Sequence, residues 1–556
     1  MSEVITETIL PGTYIEVRAE GLLTIGAIAT GNVGIVGTAE RGGDAVMILS
    51  SYEDGRAAFG ETGGWDPSLN DGNLSLVRAL KLLFDNGAQT VYARRAFNAA
   101  TAKPSTYRIA GDNNTGGLTV RAKTSGAWGN RLQIRVEDAD AQLFVPNEQL
   151  KAINGAFTLS APKLLPAATP ESSLGNVVVE EQGLVRKFQL RASAPAVGVV
   201  QVNPTNRTLT FPSTPGATAE VFANYWVPQD GLRKITLLYG NQREVYVAPS
   251  LSYLMQRLAD EQSPSRLVEV VELTADGLPA TLASTEAFSG GENGSVSRAD
   301  FQEALEDLVG EDIQIVVAPG WKFSQIKGDV LGHVEKTENI GRERIALLGA
   351  DTSDVDRVVD NANEIADKRA VLVVPGLAQQ DPETGQTFHL PPYYTAAAVA
   401  GKLSSLAPHI SLTNKTLAAI DGLTTNYNYG ELKTLVQNRV LALQMKRGVR
   451  VVKGITTDDE AFKQITLRRI VDYTKQGTRI GANQYIGKLN NRRVRGNLET
   501  TLNSFLADLV LREFLTDYKL AVFADRAMEI RGEVLVTMDL MPTFSIDVIR
   551  VVMNLS

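Results

Sequence analysis

"ADFQEALEDLVGEDIQIVVAPG", residues 299–320, changes its period halfway along. It reads as an amphipathic helix, a break at Gly310, and a buried strand from Ile313 to Ala318. The order repeats on either side. "NLSLVRALKLLFDNGAQTVYARRA", residues 73–96, predicts a helix with the stripe Leu76, Leu80, Leu83 and Phe84, a stop at Gly87, and a strand over Val91, Tyr92 and Ala93. "IGAIATGNVGIVGT" (25–38), "RERIALLGA" (342–350) and "KRAVLVVPG" (368–376) supply further short buried strands, with the helix "DVDRVVDNANEIAD" (354–367) between the last two. Short apolar strands alternating with helices define an α/β layer with a mainly parallel sheet.

Residues 99–267 differ in character. Pro, Thr, Asn and Gly rise, and strands such as "GLTVRAK", "NRLQIRVED", "RKFQLRA" and "REVYVAP" stand between turn-rich stretches. The expected fold class is therefore α/β and α+β multidomain. A split α/β domain over 21–98 and 268–395 carries a β-rich insertion at 99–267, and a C-terminal α+β domain covers 396–542. Its final helix is expected in "NLETTLNSFLADLVLREFLTDY" (497–518), with Asn497 as N-cap and Leu498, Leu502, Phe505 and Leu509 as stripe. The strands "IRGEVLVTMDLMP" and "TFSIDVIRVVMNL" close the chain. Two extended arms complete the scheme: residues 1–20, where Thr13, Ile15 and Val17 alternate after Pro11-Gly12, and residues 543–556, where Ile546, Val548, Ile549 and Val551 form a β-branched run. Neither arm has a hairpin partner beside it in sequence, and bare strand edges invite pairing with another chain.

Composition narrows the chemistry. A chain of 556 residues exceeds one core, which predicts two to four domains. Cysteine is absent, which excludes disulfides, thiolate metal sites and cysteine nucleophiles and fits a reducing compartment. Only three histidines occur, His333, His389 and His409, with no two at metal-ligand spacing. No apolar run is long enough to span a membrane, and the opening "MSEVITETIL" has acids where an export signal needs basic residues. The net charge of −8 argues against nucleic acid as main partner. That charge is uneven: residues 401–556 hold 22 Lys and Arg against 15 Asp and Glu, while the rest is acidic. Within the basic end, "YTKQGTRIGANQYIGKLNNRRVRGNL" (473–498) contains Lys475, Arg479, Lys488, Arg492, Arg493 and Arg495 and no acid. Such a run is either a solvated face or a docking surface for an acidic partner.

The candidate motifs for small-molecule chemistry are weak. "GNVGIVGTAERGG" places Gly34, Gly37, Gly42 and Gly43 around a buried strand but fits neither a dinucleotide fingerprint nor a P-loop, and reads as a tight turn. Asp351, Asp354 and Asp356 lack the glycine and distal glutamate of a calcium loop and suit a helix N-terminus. "AFSGGENGSVSRADF" offers Ser297 or Asp300 as a cap. No catalytic, cofactor or metal residues are assigned.

The ordered set "LPGTYIEV", "GNVGIVGTAERG", "FGETGGWDPSLNDGNLSLVRALKLLFDNGAQTVYARRAF", "SGAWGNRLQIRV", "FSGGENGSVSRADFQEAL" leading to "IVVAPG", "FKQITLRRIVDYT" and "IRGEVLVTMDLMPTFSIDVIRVVMNL" resembles the contractile tail sheath proteins of bacteriophages and related contractile injection systems. One departure is "RGVRVVKGITTDD" (447–459), where many sheath proteins carry Trp-Gly-x-Arg-Thr. The resemblance implies a structural subunit that polymerises helically, in hexameric rings, around an inner tube and contracts to drive it through a target envelope. It further implies arms that add strands to neighbouring subunits, and a C-terminal domain that touches the tube through Lys488, Arg492, Arg493 and Arg495. The insertion would face outward. Expected partners are the chain itself, the tail tube protein, and baseplate and tail terminator proteins, with no cofactor, nucleic acid or membrane insertion. The expected location is a virion tail assembled in the host bacterial cytoplasm. The rival is a soluble α/β enzyme, a hydrolase or nucleotide binder, using the carboxyl ends of its parallel strands.

Overall fold

The computed structural model describes residues 28–63, 66, 73–112, 116–152, 155–166, 168–216, 218–380 and 387–554. Two compact units result. One comprises described residues within 1–39, 44–97 and 296–556, the other 40–43 and 98–295.

The first unit is built on an eight-stranded sheet. Its spatial order is Met47–Leu49, Val91–Arg95, Val33–Gly37, Ile315–Val317, Ile345–Gly349, Ala370–Val374, Leu441–Met445 and Val449–Val451. The six inner strands run parallel and the two edge strands antiparallel. Inner strands are covered on both faces, which is why they read as unbroken apolar runs. Val33, Ile35, Ile315 and Val317 meet helices Leu76–Asp85 and Pro392–Ser404 on one face. Val36 and Val316 meet Arg298–Asp307, Phe323–Asn339 and Val355–Ile365 on the other. Caps fall where the side chains allow. Ser297 and Asp300 form a reciprocal capping box, and Asp354 caps Val355–Ile365 through the Arg357 N–H.

The second unit wraps one core in three antiparallel-rich sheets of seven, four and three strands. The four strands quoted above for the insertion are all present, as Gly117–Ala122, Gln133–Asp138, Leu184–Arg191 and Gln242–Ala248.

Two expected boundaries move. The insertion does not end at 267: Val268–Leu273 pairs with Gly117–Ala122, and Glu286–Ala287 pairs with Gln133–Ile134. Nor does a new domain begin at 396. That position lies inside helix Pro392–Ser404, whose buried Tyr394, Ala397 and Val399 belong to the α/β core, and Leu441–Met445 extends the sheet. The remainder, helices Ile465–Asn483 and Arg492–Leu511 with the hairpin Leu515–Phe523 and Leu535–Pro542, has a small core of its own.

Helix Pro392–Ser404 is seated by two glycines. A Cβ on Gly349 would stand 2.1 Å from the Tyr393 nitrogen, and one on Gly401 would stand 2.3 Å from the Leu83 carbonyl oxygen. Both obstacles are backbone, which cannot swing aside. Gly401→Ala is expected to destabilise the chain by about 1–3 kcal/mol through this overlap, despite a gain in helix propensity of up to about 1 kcal/mol. Urea unfolding of the two proteins measures the difference.

Candidate assembly site: an open hairpin, an extended tail and a basic turn

The C-terminal region is assembled around aromatic packing. Tyr473 on helix Ile465–Asn483 stacks on Phe505 of helix Arg492–Leu511, with Phe514 closing the group at 5.2 Å. Gly477 gives Phe505 its place, since a Cβ there would lie 2.1 Å from the ring. The second helix starts at Arg492, five residues before the expected Asn497. Its cap is Asn491, which accepts from the Val494 N–H at 3.0 Å.

That helix also ends early, at Leu511, and "LTDYKLAVF" is a strand, Leu515–Phe523, rather than a continuation. It pairs antiparallel with Leu535–Pro542. On one face Tyr518, Leu520, Met538 and Leu540 pack on the small core. The other face is exposed, and the sheet has two strands only, so neither outer edge has a ladder partner among the described residues.

The tail itself carries no strand assignment over 543–554. A strand is a ladder between backbones, and among the described residues the tail forms none. The start of the tail is fixed nevertheless. The Thr543 N–H donates to the Phe514 carbonyl at 3.1 Å, and the Asp547 carboxylate accepts from Thr413 and pairs with Lys453 at 3.2 Å. Around that tether Ile546, Val548, Ile549 and Val551 are 72–80% exposed, and Phe544, Val552 and Met553 are exposed with them. Thr13, Ile15 and Val17 of the opening arm lie outside the described residues.

The basic segment divides in two. Lys475 pairs with Glu338 at 3.1 Å, Arg479 with Glu343 at 2.8 Å, and half-buried Arg495 with Glu529 at 2.9 Å and with Asn490. Lys488, Arg492 and Arg493 remain exposed. Lys488 lies 4.8 Å from the Tyr485 ring centre, and exposed Ile486 and Leu489 sit in the same turn. Arg492 and Arg493 open a helix, where the macrodipole opposes cations by about 0.3–1 kcal/mol each. The turn therefore concentrates positive potential beside apolar surface. The apolar pair was missed in the sequence, although "YIGKLNN" does set Ile and Leu among turn residues.

A buried ionic cluster joins helix Ile465–Asn483 to the α/β layer. Arg369 is 1% exposed and donates to both Glu338 oxygens at 2.7 Å and to Asp472 at 2.8 and 3.0 Å, while Arg468 also reaches Asp472 at 2.7 Å. Bidentate Arg–carboxylate pairs of this kind are strong and directional.

The three histidines stand apart from this cluster. His333 is buried against Arg344 at 2.6 Å, and burial together with that charge pushes its pKa down to about 3. His389 lies in the strand Thr387–Leu390 and His409 against Phe514. Among the described residues no group of three or more His, Asp or Glu is placed to hold a metal, and no helix is long and apolar enough to cross a membrane.

The described residues thus form two compact units, the first ending in a two-stranded sheet whose outer edges are open. Residues 457–556 match the family described as phage tail sheath C-terminal domain. The chain is 23% identical over 541 residues to a tail sheath protein of Bacillus phage SP01, covering 91% of this chain and 89% of that protein. Its fold is similar to sheath tail proteins of Desulfitobacterium hafniense and Listeria innocua. Both give a TM-score of 0.57, at 13% and 14% identity, covering 96% and 94% of this chain and 100% and 98% of theirs. The chain is thus similar to phage tail sheath proteins along most of its length, and the enzyme reading finds no support among these matches.

The ionic cluster yields a pH test. Hydrogen bonds from Arg369 hold the Glu338 carboxyl well below the usual carboxylate range, against the opposing effect of burial and with help from Lys475. A carboxylate lowered on folding contributes stability above its ordinary value of 4.5, and that contribution is lost as pH falls toward the folded value. Glu338→Gln is expected to lower the Tm at neutral pH. Scanning calorimetry should find the gap to the unaltered protein closing as pH drops below about 4.

Proposed function

We infer that this chain is the structural subunit of a contractile tail sheath, polymerising helically around an inner tube and contracting to drive that tube through a target cell envelope. The observation that carries the reading is the exposed apolar tail, Phe544 to Met553, beside a two-stranded sheet with open edges, within the stretch that matches the sheath C-terminal domain. Two unsatisfied features of one molecule become complementary when a second copy is supplied. Ile546, Val548, Ile549 and Val551 from one subunit, and Thr13, Ile15 and Val17 from another, would add strands to the hairpin of a third by β-augmentation. Each added strand forms on the order of five backbone hydrogen bonds, worth about 0.5–1.5 kcal/mol net apiece. A head-to-tail contact that does not close on itself generates a helix.

The basic turn is the proposed tube contact, with Lys488, Arg492 and Arg493 meeting acidic groups on the tube. Arg495 is withdrawn from that role because Glu529 engages it. The β-rich unit faces outward, baseplate and tail terminator proteins bound the polymer, and the assembly belongs to a virion tail built in the host cytoplasm. The role is mechanical and non-enzymatic, with energy stored in the extended lattice.

Removing residues 543–556 should leave a soluble, folded subunit that no longer sediments as polymer, its melting temperature lowered only slightly by loss of the Thr543 and Asp547 contacts. Unfolding of the truncated chain would instead make the tail part of its own core. A Lys488→Glu, Arg492→Glu, Arg493→Glu triple variant should keep the monomer's stability and reduce co-assembly with the tube by about tenfold or more. Arg495→Glu should lower the melting temperature instead, because it sets two carboxylates together. Negative-stain counts of tube-filled sheaths separate the two variants.

A further inference from the structure

The β-rich unit contains a cleft of about 840 Å³ that the assembly reading leaves without a role. Its lining includes Arg243, Arg257 and Arg266 together with Phe144, Tyr246 and Tyr253. Arg257 is paired with Asp260 at 2.8 Å. Arg243 and Arg266 are exposed, and no carboxylate among the described residues bonds their guanidinium groups. The one carboxylate in the lining, Glu244, is held by its own unit: it accepts from the Ser265 hydroxyl at 2.7 Å, the Arg266 N–H at 2.8 Å and the Tyr246 hydroxyl at 3.0 Å. Cations facing solvent are left over.

A second groove, of about 940 Å³, shares Phe144 with the first. It crosses the outer face of the seven-stranded sheet, where strand register sets Asn224, Asn176 and Gln189 side by side. The Asn224 amide donates to the Asn176 side-chain oxygen at 3.0 Å, and exposed Lys187 lies two residues from Gln189 on the same strand. Where the grooves meet, Phe144 packs against its cross-strand partner Trp226 at 5.3 Å, both rings partly exposed.

Three chemistries are thus adjacent. Asn224 is buried and accepts from the Asn147 N–H at 2.8 Å, and Gln189 accepts from Arg191, so exposed Asn176 and Gln189 present their amide N–H donors at fixed spacing, matching vicinal hydroxyls, which accept them. Aromatic faces cover the apolar face of a pyranose ring. Free guanidinium groups take carboxylates in bidentate fashion. We propose that the β-rich unit binds an acidic polysaccharide, a chain of uronic-acid type, along these two grooves. Glu220 and Glu180 stand opposite each other on the same sheet face but line neither groove; a single-stranded nucleic acid, which like a polyuronate carries one negative charge per residue, is the competing outcome of the test. The site lies wholly within one unit and stands whether or not the chain polymerises.

Titration calorimetry of the full chain with oligogalacturonate, with maltoheptaose as neutral control and a single-stranded oligothymidylate as competing polyanion, tests this. Oligogalacturonate should bind about tenfold or more tightly than either control. Arg243→Gln/Arg266→Gln should weaken it about tenfold, and Asn176→Ala/Gln189→Ala should weaken it about threefold or more. If the arginine variant melts early, a salt series on the unaltered chain replaces it, with affinity expected to fall steeply between about 50 and 300 mM. Equal affinity for maltoheptaose, preference for the oligonucleotide, or binding insensitive both to salt and to the variants would overturn the proposal.

Discussion

Backbone N–H and C=O groups must find partners, and in the C-terminal region of this chain they do not all find them within one molecule. Leu515–Phe523 and Leu535–Pro542 satisfy each other along their inner edges only. The adjoining tail has a full complement of such groups and an exposed set of β-branched side chains. Proteins that function alone blunt such edges with charges, bulges or covering segments. Here the hairpin is followed directly in sequence by an exposed apolar segment, Phe544 to Met553. The arrangement is economical for a subunit whose surroundings are further copies of itself.

The rest of the first unit is closed. Its parallel sheet is covered on both sides, helices Arg298–Asp307 and Val355–Ile365 are capped, and helix Pro392–Ser404 approaches so closely that glycine is required at its contacts. The ionic cluster of Arg369, Glu338 and Asp472 joins this finished layer to the helix that carries the aromatic core under the hairpin. Buried ion pairs add little net stability over apolar packing, because desolvation offsets the attraction. What they do provide is orientation, and they fix the helix that supports the hairpin at one angle to the layer.

Much of this was legible in the sequence, for a definite reason. Strands such as Ile345–Gly349 and Ala370–Val374 are buried on both faces, so their identity is written locally as apolar runs. Two of the failures concern partners supplied from far along the chain, and one a local break. Val268–Leu273 looks like any strand, and its pairing with Gly117–Ala122 lies about 150 residues away, so the insertion was closed too soon. Helix Arg492–Leu511 was extended into Leu515–Phe523 because the break occurs at Glu513, in a left-handed conformation with no glycine to announce it. The acid-free stretch 473–498 looked wholly available, yet Glu338, Glu343 and Glu529 arrive from distant segments to neutralise half of it. Charge counting along a chain cannot see partners supplied by folding.

The two proposed contacts differ in a way that suits a contractile lattice. A paired strand carries several directional hydrogen bonds, and its register is pinned by side chains that alternate between faces. It resists sliding and survives rigid rotation of the bodies it connects. The basic turn offers the opposite: exposed cations worth about 0–1 kcal/mol each, screened by salt, beside two apolar side chains. Repeated along a tube, such contacts hold collectively, and each releases with little cost once its neighbours have moved. Placing the cations at a helix start, where the dipole disfavours them, lowers that release cost no further but raises the local potential felt by an acidic surface. A subunit that must stay joined to its copies while letting go of its cargo requires this ordering of strengths, with the ladder the stronger and the ion pairs the weaker.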